Sequence, residues 1–214
     1  MLNFHFPSLV ALAAIVLSYL LGSLSFAVIV SKLMGKGDPR TYGSGNPGAT
    51  NVLRSGSKGA ALATLLLDGF KSWLPVALIL HFGAAHGLGL GTAALAGLAA
   101  FIGHLYPVFF RFQGGKGVAT AAGALLGISW ALGVMVALVW LAVAVALRYS
   151  SLAALVAAVF APVLYLVVIE GAVHWSIHDT PLMAISAMSL LLFWRHRANI
   201  VRLWEGVEPR IGQK

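Results

Sequence analysis

The 214-residue chain has no cysteine, few charges and very few acids. Without a thiol there can be no disulfide scaffold, thiolate zinc site, iron–sulfur cluster or cysteine nucleophile. Charged residues make up 9% of the chain and hydrophobic residues 60%, whereas a soluble domain carries about 25% charged residues. The six acids form no cluster able to hold the magnesium that metal-dependent phosphoryl transfer uses. No metal site or cofactor is therefore expected. The chain also lacks a soluble domain, a long linker and a clear internal repeat, so residues 1–214 read as one integral membrane domain. In so apolar a chain a net charge of +8 is first a topology signal, not a sign of a nucleic-acid partner.

What is present is a series of apolar runs. A bilayer-crossing helix needs about 20 mostly apolar residues, and seven runs meet or approach that length: Leu9–Leu33, Gly59–Phe82, Leu88–Leu105, Val118–Gly127, Trp130–Leu147, Leu152–Ile169 and Leu182–Trp194. Gly127 and Gly133 blur the boundary between the fourth and fifth, where a tilted or re-entrant segment is an alternative. The first run is far longer than the core of a signal peptide and no basic segment precedes it, so it is expected to be retained. The fold class is thus all-α, a polytopic transmembrane bundle with seven spans.

Seven spans place Lys32, Lys36, Arg40, Arg54, Lys58, Arg111, Lys116, Arg148, Arg195, Arg197, Arg202, Arg210 and Lys214 on one side. Only Asp38, Glu205 and Glu208 are acids there, leaving that side at +10, while Glu170 and Asp179 leave the other at −2. The excess of cations makes the first side cytoplasmic, with the N-terminus outside and the C-terminus inside. An even number of spans would break this segregation.

Three segments on the basic side carry polar features. The first contains Gly43, Ser44, Gly45, Asn46, Gly48, Thr50 and Asn51, flanked by Arg40 and Arg54. Its glycines can let successive backbone N–H groups converge on an anion, although an ordinary Gly/Pro turn is the plainer alternative. The dinucleotide fingerprint that Gly43, Gly45 and Gly48 imitate is rejected, because a membrane helix and not a strand precedes it. The second is Gly114-Gly115-Lys116-Gly117, which brings a lysine to a helix start where the dipole favours anions. The alternative is a chance lysine beside an interfacial belt of Tyr106, Phe109, Phe110 and Phe112. The third is the tail, where His196 and Asn199 share a helical face among Arg195, Arg197 and Arg202. A basic helix anchored to anionic lipid is the competing reading.

Two further features stand apart. Asp68 and Lys71 lie three residues apart deep in the second span, as an intramembrane pair that either faces a functional interior or locks the bundle. His174, His178 and Asp179 lie in an outer loop opposite the glycine segments, and neither a metal site nor an acyltransferase motif is expected there.

Together the three basic segments suit a phosphate-bearing amphiphile, which leaves acyl transfer or transport. At this point the sequence resembles the bacterial acyl-phosphate:glycerol-3-phosphate acyltransferase family. The resemblance rests on Gly-Ser-Gly-Asn-Pro-Gly-Ala-Thr-Asn from Gly43, on Asp68-x-x-Lys71, on the run from Gly103 through Gly-Gly-Lys-Gly to Thr120, and on His196-Arg-x-Asn-Ile-x-Arg-Leu-x-x-Gly-x-Glu208.

It implies a seven-helix inner-membrane enzyme that moves an acyl group from acyl phosphate to the 1-hydroxyl of glycerol 3-phosphate, giving lysophosphatidate and inorganic phosphate. It implies that Ser44 and Arg54 belong to a first site motif, Lys116 to a second, and His196, Asn199 and Glu208 to a third, with Ser151 a further polar position. The chain departs from the family pattern in its longer 170–180 loop and in Pro209 after Glu208.

The catalytic set expected on this resemblance is His196, Asn199, Lys116 and Ser44. The expected binding set is Arg54, Gly43, Gly45, Asn46, Thr50, Asn51, Gly114, Gly115, Gly117, Ser151, Arg197 and Glu208. Membrane lipid and the enzyme that makes acyl phosphate are the remaining expected partners. An acyl phosphate is already activated, so no covalent nucleophile is required. The hydroxyl proton passes either to His196 or to the leaving phosphate. The rival class is a transporter of an organic phosphate built around Asp68 and Lys71, which would ordinarily show repeat symmetry.

Overall fold

The computed structural model describes residues 8–167 and 180–212. Among them no strand occurs, and each of the seven apolar runs is helical. The helices are α1 (Leu9–Gly22), α2 (Phe26–Leu33), α3 (Ala49–Leu53), α4 (Lys58–Phe82), α5 (Leu90–Leu105), α6 (Val118–Ile128), α7 (Trp130–Leu147), α8 (Ser150–Tyr165), α9 (Thr180–Arg195) and α10 (Arg197–Trp204). Glu170, His174, His178, Asp179 and Lys214 lie outside the described residues, as does the end of the sixth run.

One expectation is corrected. The run Leu9–Leu33 is not one helix but two, bent by 43°. The break falls at Ser23–Ser25, where Ser23 Oγ turns back to donate to the Tyr19 carbonyl at 2.9 Å. The Leu24 carbonyl, freed from a helical partner, accepts from Lys71 Nζ at 2.7 Å. Away from water a broken helix persists only where such a partner is supplied. The boundary between α6 and α7 is sharp. Ser129 alone separates them, and its Oγ accepts from Leu132 N at 3.4 Å to start α7.

By length and apolar composition three helical segments can cross a bilayer, Lys58–His86, Leu90–Phe110 and Trp130–Leu147, with the bent α1–α2 pair a fourth if it counts as one span. α6, α8 and α9 are equally apolar but shorter, at 11, 16 and 16 residues. The bundle is apolar outside as well as inside: Leu17, Trp130, Leu138, Val145 and Leu190 are all exposed.

Inside, the core is rich in alanine, with Ala93, Ala96, Ala124, Ala154 and Ala158 around Phe101, Leu132 and Ile185. Between helices in lipid there is no water to expel, so close approach of small residues supplies the attraction. α1 meets α5 and α4 meets α6 through such contacts. A Cβ on Gly22 would collide with the Ala100 carbonyl, and one on Gly123 with the carbonyl of Gly69. These approaches hold the ends of α5 and α6, and the turn between them, in place beneath the site.

Gly123→Ala must therefore push α6 from α4. We expect it to lower the thermal midpoint of the detergent-solubilised protein, at a cost of about 1–3 kcal/mol. Gly59→Ala, where the nearest atom is the end of Met34 at 3.8 Å, should leave the midpoint unchanged or raise it. Intrinsic tryptophan fluorescence against temperature measures both.

Candidate functional site

A cavity of about 1280 Å³ opens at the end of the bundle where the basic loops gather. Its polar end is lined by Ser44, Asn46, Thr50, Arg54, Lys116, Ser151, Arg195, His196, Asn199, Arg202 and Glu208. Its other end runs between α4, α6, α7, α8 and α9 over Leu66, Phe70, Trp73, Leu126, Ala158 and Met188. The shape suits an amphiphile with an anionic head.

The polar end is organised by one carboxylate. Glu208 Oε1 accepts from Ser151 Oγ at 2.6 Å and from Asn199 Nδ2 at 2.6 Å, and Oε2 accepts from Arg202 Nε at 2.7 Å. These donors hold the Glu208 carboxyl below the usual range against the opposing effect of burial. With its N–H₂ spent on Glu208, Asn199 turns its oxygen outward and accepts from Lys116 Nζ at 2.5 Å. A hydrogen-bonded chain thus runs from α8 through the tail and α10 to the start of α6. Burial, and the nearby Arg202, Arg195 and Arg54, lower the Lys116 ammonium to about 8, with Glu208 opposing.

His196 sits between α9 and α10 and is 2% exposed. Its Nδ1 lies 2.8 Å from the Leu192 carbonyl. A carbonyl only accepts, so Nδ1 carries the proton and Nε2 is the acceptor. Burial, followed by the Lys116 charge, lowers His196 to about 4, so the ring is neutral at ordinary pH.

In the first loop three of the amides expected to face an anion are bonded within the loop instead. Ser44 N donates to Asn51 Oδ1 at 3.0 Å, Gly45 N to the Tyr42 carbonyl at 3.0 Å and Gly48 N to the Asn46 carbonyl at 2.9 Å. Asn51 is the pin of that loop, since its Nδ2 also donates to the Pro39 and Tyr42 carbonyls at 2.6 and 3.1 Å. Gly43 has φ +58 and packs against the Arg54 side chain, a place where a Cβ would clash with Asn51. Gly45 does not line the cavity.

In the Gly-Gly-Lys-Gly turn Gly114 and Gly115 stand outside the cavity, while Lys116, Gly117 and the first residues of α6 line it. Gly115 N donates to the His104 carbonyl at 3.1 Å, and the Gly114 and Gly115 carbonyls accept from Arg195 at 2.8 and 3.1 Å. Both glycines exist for close packing and neither lines the cavity. Gly117 does, at φ +87, and it starts α6 at the cavity wall.

Two expected cations point elsewhere. Arg197 is exposed and lies over the Trp194 ring at 5.0 Å. Arg40 is paired with Asp38 at 2.6 Å, outside the cavity. Arg195 and Arg202 take their places. Neither was singled out from the sequence, where nothing ranks them above the other arginines of a basic tail. The Asp68–Lys71 pair forms at 2.8 Å in the interior, with His104 as an unforeseen third member.

The chain from residue 12 to residue 206 matches the family model described as glycerol-3-phosphate acyltransferase. A glycerol-3-phosphate acyltransferase of Albidiferax ferrireducens is 60% identical over 203 residues, spanning 95% of this chain and 90% of that one. One from Burkholderia pseudomallei is 60% identical over 204 residues, spanning 95% and 96%. The fold is similar to a crystal structure of PlsY (YgiH), an integral membrane glycerol 3-phosphate acyltransferase, in its glycerol 3-phosphate form. That match has a TM-score of 0.84 and 36% identity over 95% of this chain and 96% of that one. The lysophosphatidic acid form of PlsY matches with a TM-score of 0.82.

Glu208 has a lowered pKa, so its carboxylate adds stability above its unfolded value near 4.5, and that stability is lost as pH falls through the folded value. The thermal midpoint should therefore fall on acidification below about pH 4.5. Glu208→Gln should start lower and show a flatter acid limb. Melting curves across pH measure the difference.

Proposed function

The chain belongs to the glycerol-3-phosphate acyltransferase family, and on that premise we propose that it transfers an acyl group from acyl phosphate to the 1-hydroxyl of sn-glycerol 3-phosphate. The products are lysophosphatidate and inorganic phosphate. One observation carries the reading. A single cavity joins an end with four cations, Arg54, Lys116, Arg195 and Arg202, to an apolar end among five helices. Two phosphates and one acyl chain fit that division of charge.

The reaction needs two anions brought together, and the four cations offset their repulsion. The glycerol 1-hydroxyl oxygen attacks the acyl carbonyl carbon, the bond from that carbon to the phosphate oxygen breaks, and the phosphate departs with the electron pair. Lys116 and Arg54 stabilise the leaving phosphate as its charge grows. The hydroxyl proton passes to the departing phosphate. His196 Nε2, neutral and an acceptor, orients glycerol 3-phosphate together with Asn199, and Ser44 and Thr50 face the substrates from the first loop.

We place the protein in a bacterial inner membrane as one seven-span domain, N-terminus outside, with the polar end of the cavity cytoplasmic, because the cations gather at that end. Acyl phosphate arrives from the enzyme that makes it, and the lipid product enters the bilayer.

Purified protein given acyl phosphate and labelled glycerol 3-phosphate should form labelled lysophosphatidate, and Lys116→Met should lose about 10²–10³ in rate. No product from the unmutated protein would sink the proposal. Activity with acyl-CoA but none with acyl phosphate would overturn the donor.

Lys116 holds phosphate while protonated, so the rate should fall as pH rises through about 8, and Lys116→Arg should move that limb upward. His196→Ala should raise KM for glycerol 3-phosphate. Abolished turnover with unchanged KM would make His196 the base instead.

A further inference from the structure

The Asp68–Lys71–His104 cluster lies inside the bundle, and Asp68 and His104 form part of the cavity wall. The Lys71 side chain is 1% exposed and that of Asp68 3%. Lys71 Nζ reaches Asp68 Oδ1 at 2.8 Å, the Leu24 carbonyl at 2.7 Å and His104 Nδ1 at 3.0 Å. An ammonium has three protons and no lone pair, so it donates to Nδ1 and the imidazole keeps its proton on Nε2.

An ion pair that merely locked α4 would have no use for the ring. Burying charges carries a desolvation cost that apolar contacts would avoid. The far edge of the ring shows what the cluster positions. His104 Nε2 lies where a Cβ on Gly115 would have to sit, and His104's own carbonyl accepts the Gly115 N–H at 3.1 Å. On the opposite side the Arg195 guanidinium grips the Gly114 and Gly115 carbonyls at 2.8 and 3.1 Å, itself stacked on Tyr106 at 5.6 Å. The turn is clamped between α5 and α9, and the next residue is Lys116.

We propose that His104 is a positioning residue for Lys116: its ring, braced by the Asp68–Lys71 pair, sets the height of the Gly114–Gly117 turn and so how far the lysine reaches into the cavity. The proposal rests on the reading of Lys116 as a phosphate-holding group, and its geometry can be tested apart from activity. Lys116 is faced by Arg54 from the first loop, Arg195 and His196 at the end of α9, Arg202 on α10 and Glu208 from the tail. Its ionisation reports where among these charges the ammonium sits.

His104→Asn separates the two roles. Its amide oxygen can still accept from Lys71, but the edge against Gly115 is gone. The readouts are turnover, thermal midpoint, and the pH at which Lys116 is half-modified by an amine-selective acylating reagent, followed by peptide mass spectrometry.

For His104→Asn we expect turnover to fall about tenfold and the half-modification pH to rise by about one unit as the lysine slips toward water. Gly115→Ala, which drives a methyl into the ring and toward the Pro47 carbonyl at 3.0 Å, should lose more. The double variant should regain at least about threefold over Gly115→Ala, since the smaller side chain makes room.

A folded His104→Asn with unchanged half-modification pH and turnover would overturn the proposal. So would a double variant as poor as the product of the single effects. Should the unmutated protein make no lysophosphatidate while the Lys116 titration still moves, the functional reading fails and the positioning role stands.

Discussion

Crowding of like charge is the constraint around which the polar end of this protein is built. Arg54, Lys116, Arg195 and Arg202 face one cavity, and among them Glu208 is the counter-charge that gathers three donors. Three of the four cations are tethered, each by a different device. Arg195 is held by two backbone carbonyls and an aromatic ring, Arg202 by the carboxylate, and Lys116 by an amide oxygen. Burial first, and then the charges of Arg202, Arg195 and Arg54 against the opposing Glu208, lower the Lys116 ammonium to about 8. An incoming phosphate relieves desolvated repulsion already present in the fold, so its binding energy is available before any side chain moves.

The membrane setting supplies the rigidity that such tethering needs. Where helices meet through glycine and alanine, backbones come close and side-chain freedom is already gone, so little entropy is lost in holding the site. The contacts of Gly22 with Ala100 and of Gly123 with Gly69 are of this kind. The same logic governs the break between α1 and α2. In a place without water the Leu24 carbonyl needs a donor, and the buried ammonium of Lys71 provides one. A charged residue that looked anomalous within an apolar run thereby serves the backbone of one helix, the carboxylate of its own helix and the ring of a third.

Much of the fold was legible in the sequence because hydropathy over twenty residues is a strong signal. The run Trp130–Leu147 coincides with α7, and Gly59–Phe82, Leu88–Leu105 and Leu182–Trp194 differ from α4, α5 and α9 by no more than two residues at either end. The break at Ser23–Ser25 is not visible in hydropathy, since the lysine that satisfies its freed carbonyl lies 47 residues away. In the site, the residue types were legible and their tasks often were not. Lys116, Asn199 and Glu208 stand together as their motifs implied, yet Gly114 and Gly115 serve packing away from the cavity, and Asn51, which lines it, also closes its own loop. Composition cannot tell a glycine that frees an amide from one that admits a neighbouring backbone. Arg195 and Arg197 differ only in which side of a turn they leave, and that is a tertiary fact.

The same geometry bears on where the hydroxyl proton goes in the proposed reaction. A general base works best with a pKa near the working pH. His196 has been driven the other way, to about 4, by burial and by the neighbouring ammonium. Its Nδ1 proton is committed to a backbone carbonyl, and Glu208, the carboxylate whose charge favours an imidazolium, is outweighed there and makes its own hydrogen bonds to Ser151, Asn199 and Arg202. Both features favour a neutral acceptor that orients a hydroxyl over a base that takes its proton. The leaving phosphate is under the opposite influence. It gains negative charge as the carbon–oxygen bond breaks, close to the hydroxyl that has just attacked, so its basicity rises at the moment a proton must be accepted. The cations that stabilise it limit this rise but also hold it in place. In a site arranged this way the substrate supplies the base, and the protein supplies position and charge.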